Sequence, residues 1–118
     1  MQKGWCRNML QENVESKMPV YESERDVLYI RLPREFDHFS SRNIKVETEA
    51  LIEAAGIQNI VFDFTRTEFM DSTGIGILLG RYKRMEFIGG AVYTWHVSQR
   101  IRRMLEAAGI TGLIQELE

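Results

Sequence analysis

The chain has 118 residues, 44% hydrophobic and 27% charged, with a formal net charge of −2. That is one domain's length with enough apolar content to bury a core, and it excludes a disordered or fibrous chain. The slight acidic balance gives no field to gather nucleic acid or an anionic membrane, and a lone cysteine, Cys6, excludes an internal disulfide and fits a reducing compartment.

Residues 1–17 mix Gly, Asn, Gln and Glu with scattered apolar side chains at no clean period, which predicts a weakly ordered N-terminal arm or short helix ahead of a domain over residues 18–118. Residues 1–10 carry charged and polar side chains where a signal peptide needs an apolar stretch, and no run reaches membrane-spanning length. A cytoplasmic protein with neither membrane nor nucleic acid as a partner is expected. Val20 and Tyr21, then residues 27–32, are rich in β-branched and aromatic side chains around a charged stretch, so two strands joined as a hairpin are predicted. Pro33 cannot donate to a ladder and ends the second strand; residues 37–41 then offer capping side chains for a helix.

Ile44, Thr48, Leu51, Ile52 and Ala55 recur at spacings of three and four, and Gly56 stands where a left-handed cap is wanted, which predicts an amphipathic helix. Residues 57–64 are nearly continuous in apolar side chains and read as a strand buried on both faces. A helix beginning at Ser72 runs to about Phe87 and stops at Gly89-Gly90. Residues 91–95 supply another strand, Ser98 caps a helix carrying Ile101, Met104, Leu105 and Ala108, Gly109 closes it, and residues 111–117 hold a last strand. Strands alternating with helices predict an α/β fold with parallel neighbours and helices packed against the sheet.

The stretch that carries chemistry is Phe69-Met70-Asp71-Ser72-Thr73-Gly74-Ile75-Gly76-Ile77-Leu78-Leu79-Gly80-Arg81-Tyr82-Lys83. At about 100° per residue, Ile75, Leu78, Leu79, Tyr82 and Met85 gather on one side, predicted to face the sheet. The opposite side collects Thr73, Gly76, Ile77, Gly80 and Arg84. Glycine inside a helix costs roughly 1 kcal/mol relative to alanine, so a second reason for Gly76 and Gly80 is required. One is close packing inside the domain; the other is a flat surface with one apolar knob, Ile77, and a basic rim at Arg84, which a protein partner can approach closely.

Serine is a favoured N-cap, which alone accounts for a serine at Ser72. It leaves unexplained the acid before it and the small residues after it. A phosphate on that hydroxyl adds about −1.5 to −2 charges, which the positive end of the helix tolerates within the domain. A partner surface packed over Gly76 and Ile77 does not, and Asp71 compounds the repulsion.

At these residues the sequence resembles the STAS domain family, and within it the anti-sigma factor antagonists of the sporulation and stress-response type. The resemblance covers about residues 20–116 and implies a STAS-like mixed sheet of about four to five strands with helices packed against it. It further implies that Ser72 is phosphorylated by an anti-sigma factor that is an ATP-using serine kinase. On that pattern the unphosphorylated form binds the kinase and frees the sigma factor, the phosphorylated form does not bind, and a phosphatase acting on phospho-Ser72 resets the switch. The family's loop ending in aspartate is matched by Glu35-Phe36-Asp37, which places Asp37 near Ser72; Arg34 departs from the glycine often found before that Glu. Asp37, Asp71, Thr73, Gly74, Gly76, Ile77, Gly80 and Arg84 are the expected partner-binding residues. Many relatives continue into a final helix, and the arm of residues 1–17 is expected to cover surface that such a helix covers.

An enzyme is not expected. Gly74, Gly76 and Gly80 lack the lysine of a nucleotide-binding P-loop. Asp37, Asp63 and Asp71 form a magnesium set only if Asp63 leaves its buried strand. His38 and His96 lack the further ligands of a metal site, so no catalytic residue, metal or cofactor is assigned. The alternative is a STAS module regulating a transporter or stress-signalling assembly, with Thr73 sharing the phosphorylation. The basic residues Arg81, Lys83, Arg84, Arg100, Arg102 and Arg103 read as solvated helix faces, those after Ser98 being available to an acidic partner.

Overall fold

A computed structural model describes residues 17–118. The expected arm of residues 1–17 lies, except for Lys17, outside the described residues. Strands β1 (Val20–Glu24) and β2 (Val27–Arg31) form the antiparallel hairpin, turning at Arg25 with φ 58°. The charged stretch after Tyr21 is therefore partly strand, because Glu22 pairs with Tyr29 and Glu24 with Val27.

A two-residue strand β3 (Glu35–Phe36) leads into a short helix α1 (His38–Ser41) and the longer α2 (Ile44–Ala55), which Gly56 ends at φ 65°. Strand β4 (Asn59–Asp63) follows, then a second two-residue strand β5 (Phe69–Met70) and the long helix α3 (Ser72–Phe87). Strand β6 (Ala91–Trp95), helix α4 (Gln99–Ala107) and strand β7 (Gln115–Leu117) come last. Ser98 caps α4 by accepting from the Ile101 N–H at 3.1 Å, as its position predicts.

The five-stranded sheet has the order β1-β2-β4-β6-β7, parallel except for β1, so the mixed α/β architecture expected from the alternation of elements is the one observed. Its helix-facing side is set by register. Leu28, Ile60 and Val92 lie in one row, and Ile30, Phe62 and Thr94 in the next, all buried. Ile44, Ile52, Leu78, Met85, Ile101 and Leu105 from the helices close over these rows as one core. Tyr21 fastens β1 to α2 by donating to Glu47 at 2.6 Å; burial first, and then that carboxylate, raise its hydroxyl well above the ordinary tyrosine range.

The small pair β3-β5 is a clip that neither periodicity nor composition signals. It runs parallel, with Glu35 opposite Phe69 and Phe36 opposite Met70. The loops before each strand are tied as well: the Arg34 carbonyl accepts from the Glu68 and Phe69 N–H groups, and buried Thr67 donates to the Pro33 carbonyl at 2.9 Å. Two chain segments more than thirty residues apart are thereby held in register just before each enters a helix.

Candidate functional site

The clip delivers two aspartates side by side. Glu35-Phe36-Asp37 and Phe69-Met70-Asp71 are parallel tripeptides, each ending in the residue that caps the helix beyond it. Asp37 accepts from the Ser40 N–H at 3.0 Å, and the Ser40 hydroxyl oxygen accepts from the Asp37 N–H at 3.1 Å, a reciprocal cap on α1. Asp71 does more. Its Oδ1 accepts from the N–H groups of Thr73 at 2.9 Å and Gly74 at 3.1 Å, while its Oδ2 accepts from the His38 N–H at 3.3 Å. One carboxylate thus closes the entrance of α3 and binds it to the entrance of α1.

This corrects the capping role available to Ser72. The cap is Asp71, and Ser72 is the first residue of α3, exposed, its hydroxyl free of that duty. Two of the N–H groups at this helix end, those of Thr73 and Gly74, are already taken by Asp71.

The inner face of α3 also differs from the expected one. Its buried residues are Gly74, Leu78, Arg81 and Met85, while Ile75, Leu79 and Tyr82 are only half-buried at its flank. Gly74 lies inside, not on the surface: a Cβ there would stand 2.6 Å from the Phe36 carbonyl oxygen and 3.0 Å from Met70 Cγ. It is the point where α3 rests on the clip. Ile77 is half-buried against the core and is no exposed knob. Gly76 and Gly80 are exposed, and a Cβ at either would meet nothing within 4 Å, so internal packing does not account for them. With Ser72, Lys83 and Phe87 they form the outward ridge of α3.

The basic residues are not simply a solvated face. Arg81 is 4% exposed and donates to Glu49 at 2.7 Å and to the Thr48 hydroxyl at 3.3 Å; Arg84 holds the same carboxylate at 2.9 and 3.0 Å. Glu49 thereby joins α2 to α3, and the Arg81 hydrogen bond, helped by Arg84, pulls its carboxyl below the usual carboxylate range. Its charge alone assigns Arg81 to water. The signal that finds it is position: it falls seven residues after Gly74 and three after Leu78, on the buried stripe. Arg102 is likewise engaged, donating to Glu116 at 2.6 Å, whereas Arg100 and Arg103 are exposed.

Asp63 does not join the other aspartates. It is buried at the end of β4, accepting from Thr65 and lying 3.6 Å from Arg31 Nε. Among the described residues no three His, Cys, Asp or Glu side chains are grouped to hold a metal, and no helix is long and apolar enough to cross a membrane.

A mixed sheet, a two-strand clip and a hydroxyl presented beside a glycine ridge define a STAS-type α/β domain. The chain belongs to the STAS domain family, whose model matches residues 18–118. Similar relatives include an anti-sigma F factor antagonist of Paenibacillus polymyxa, 34% identical over 75% of this chain and 76% of the relative. An anti-sigma-B factor antagonist of Bacillus subtilis is 25% identical over 80% of this chain and 84% of that one. Among solved structures, the anti-sigma factor antagonist SpoIIAA in its unphosphorylated form superposes with a TM-score of 0.76 at 27% identity, covering 85% of this chain and 88% of the other. The Bacillus cell fate determinant SpoIIAA in its phosphorylated form gives 0.69 at the same identity, over 85% and 91%.

Proposed function

We propose that this STAS domain is an anti-sigma factor antagonist whose grip on its anti-sigma factor is switched by phosphorylation of Ser72. The observation that carries the reading is the position of that hydroxyl: exposed, released from capping by Asp71, and at the head of a ridge whose glycines bare the backbone. Two relatives named as antagonists of anti-sigma F and anti-sigma-B factors support the partner class. In this reading the chain is a regulator and not an enzyme, working in the cytoplasm of a sporulation or stress circuit.

The chemistry asked of Ser72 is that of a phosphoryl acceptor. Its Oγ forms a bond to the γ-phosphorus of ATP held by the partner, the bond from that phosphorus to the β-phosphate oxygen breaks, ADP leaves, and the hydroxyl proton passes to a base of the partner. The product adds charge beside Asp71 and Asp37, at a point where an apolar or acidic partner surface must desolvate it or withdraw. A phosphatase that removes the group restores binding. Thr73 is a poorer acceptor, being half-buried with its N–H tied to Asp71.

The test mixes the chain with ATP and the anti-sigma F factor of Paenibacillus polymyxa, reads intact mass, and maps the modified residue. One phosphate on Ser72 is expected, and none on Ser72→Ala. By calorimetry Ser72→Ala should keep its affinity while Ser72→Asp loses about tenfold or more, rising toward about a hundredfold if the interface buries the charge fully. Equal affinities of the two variants would overturn the mechanism.

A further inference from the structure

Besides Phe87 at the end of α3, two large apolar side chains on the helices face water: Phe39 on α1 is 61% exposed and Val46 on α2 is 70% exposed. They belong to one stripe. Arg42 (φ −60°, ψ −27°) and Asn43 (φ −102°, ψ −3°) keep a right-handed backbone between the two helices. Phe39, Arg42 and Val46 therefore follow each other at spacings of three and four along the outer side, while Ile44, Thr48 and Ile52 hold the inner side in the core. The Arg42 guanidinium sits over the Phe39 ring, 4.3 Å from its centroid.

The stripe is continuous with the Ser72 face. The His38 N–H bonds Asp71 at 3.3 Å, and Phe36 pairs with Met70, so Phe39 begins about one turn from the entrance of α3. Its charge is mixed but leans positive. Phe39 borders an open cleft of about 320 Å³ that it shares with Lys17, Arg34, Glu35, Asp37 and Ser40. Around the exposed phenyl ring stand Lys17, Arg34 and Arg42 against Glu35 and Asp37, three positive charges against two negative. An aromatic ring and an arginine, unburied and adjacent, are the residue types that dominate protein interfaces.

We propose that the anti-sigma factor bound at the Ser72 face also covers this stripe, seating the Phe39 ring and Val46 in an apolar pocket and setting an acidic side chain beside Arg42. The proposal rests on the reading of Ser72 given above and extends the footprint from one helix to three. Because the stripe lies off the phosphate, it supplies affinity and partner choice, whereas Ser72 supplies the switch.

Calorimetric titration of the unaltered chain, Phe39→Ala and Val46→Asp with the Paenibacillus polymyxa anti-sigma F factor tests it. Leu113→Ala, 49% exposed beyond α4, is the control. Phe39→Ala should weaken binding about tenfold or more, as a central aromatic anchor does, and Leu113→Ala should not change it. Val46→Asp lies in the first turn of α2, where a carboxylate suits the helix dipole, so it should fold normally and still weaken binding by repelling the acidic contact. Unchanged thermal unfolding of both variants assigns the loss to the interface. Binding by the unaltered chain, with equal affinity for Phe39→Ala and Val46→Asp, overturns the proposal and leaves the Ser72 reading intact. A change in the sedimentation of the isolated chain on Phe39→Ala, with partner affinity unchanged, makes a second copy the occupant and also overturns it. Failure of the unaltered chain to bind overturns both.

Discussion

The inner and outer faces of α3 use glycine for opposite reasons. On the inner face Gly74 sits against the Phe36 carbonyl, where no side chain fits; on the outer face Gly76 and Gly80 look into open space. The same helix buries a charged arginine, Arg81, and exposes a phenylalanine, Phe87, at 87%. Residue type alone therefore misleads on both sides. What decides is whether a neighbour already occupies the space above the Cα: closeness within the chain fixes Gly74, and the absence of any neighbour leaves Gly76 and Gly80 with a cost that the isolated domain does not offset.

Removing Glu49 should give the largest effect on the inner face. Arg81 is almost wholly buried, and Glu49 is its charged partner as well as that of Arg84. Glu49→Ala strands that charge and should cost about 3 kcal/mol, the low end for breaking a buried pair because Glu49 keeps 30% of its own surface in water. Equilibrium denaturation by urea measures it. A loss under about 1 kcal/mol would show Arg81 reaching water and the inner face open. The pH dependence has a definite sign. The folded Glu49 carboxyl titrates below its ordinary value of 4.5, so its stabilisation is complete above that value and is lost as pH falls through the lower folded one. Acid unfolding of the unaltered chain should therefore be steeper below about pH 4.5 than that of Glu49→Gln, which starts less stable at neutral pH.

Gly74→Ala comes next. Its Cβ would lie 2.6 Å from a backbone oxygen that the β3-β5 pairing holds in place, so the first turn of α3 or the clip must move. Overpacking of this kind costs about 1–3 kcal/mol. A second readout sharpens the comparison: displacing α3 from the clip disturbs the Asp71 cap, so the His38 amide should exchange with solvent faster in the variant. A stability change within about 0.5 kcal/mol, the range of ordinary surface substitutions, would mean that the clip yields and that the two faces do not differ in this way.

Much of this fold was legible because local signals and tertiary packing agree. Gly56 ends α2 with a left-handed residue, Ser98 caps α4, and residues 91–95 form a strand, as their chemistry predicts. The clip was not legible, since a two-residue strand has no period and its pairing sets Phe36 beside Met70 across the sequence, with the Phe36 carbonyl accepting from the Asp71 N–H. Its one trace is the repeated pattern of an apolar residue followed by aspartate and a helix, at Phe36-Asp37 and Met70-Asp71. At the site, Ser72 and its exposure followed from the sequence, while the capping role belonged one residue earlier, to Asp71. Both aspartate and serine cap well, and only the bond from the His38 N–H to Asp71 singles out the first as the shared fastening. Ile77 was misassigned because the buried stripe of α3 is centred on Gly74 and Leu78, rotated from where the large apolar residues alone would place it, and Arg81, on that stripe, was misassigned on its charge.

The smallest expected effect tests the outer face most directly. Gly76→Ala and Gly80→Ala add a methyl group where nothing lies within 4 Å and lower the chain entropy lost on folding, so each should raise stability by about 0.5–1 kcal/mol. The sign is opposite to that of Gly74→Ala in the same helix, which removes the objection that any substitution in α3 is harmful. If the ridge exists to let another protein approach the bare backbone, the same two methyl groups should weaken binding of the anti-sigma factor by a few-fold while the domain itself becomes harder to unfold. Stabilisation without any loss of affinity would leave the exposed glycines without a function in docking, and the contact would then lie wholly on Ser72 and the α1-α2 stripe. Gain in folding coupled to loss in binding is the outcome that only a docking ridge produces, because no internal contact is present for the methyl groups to disturb.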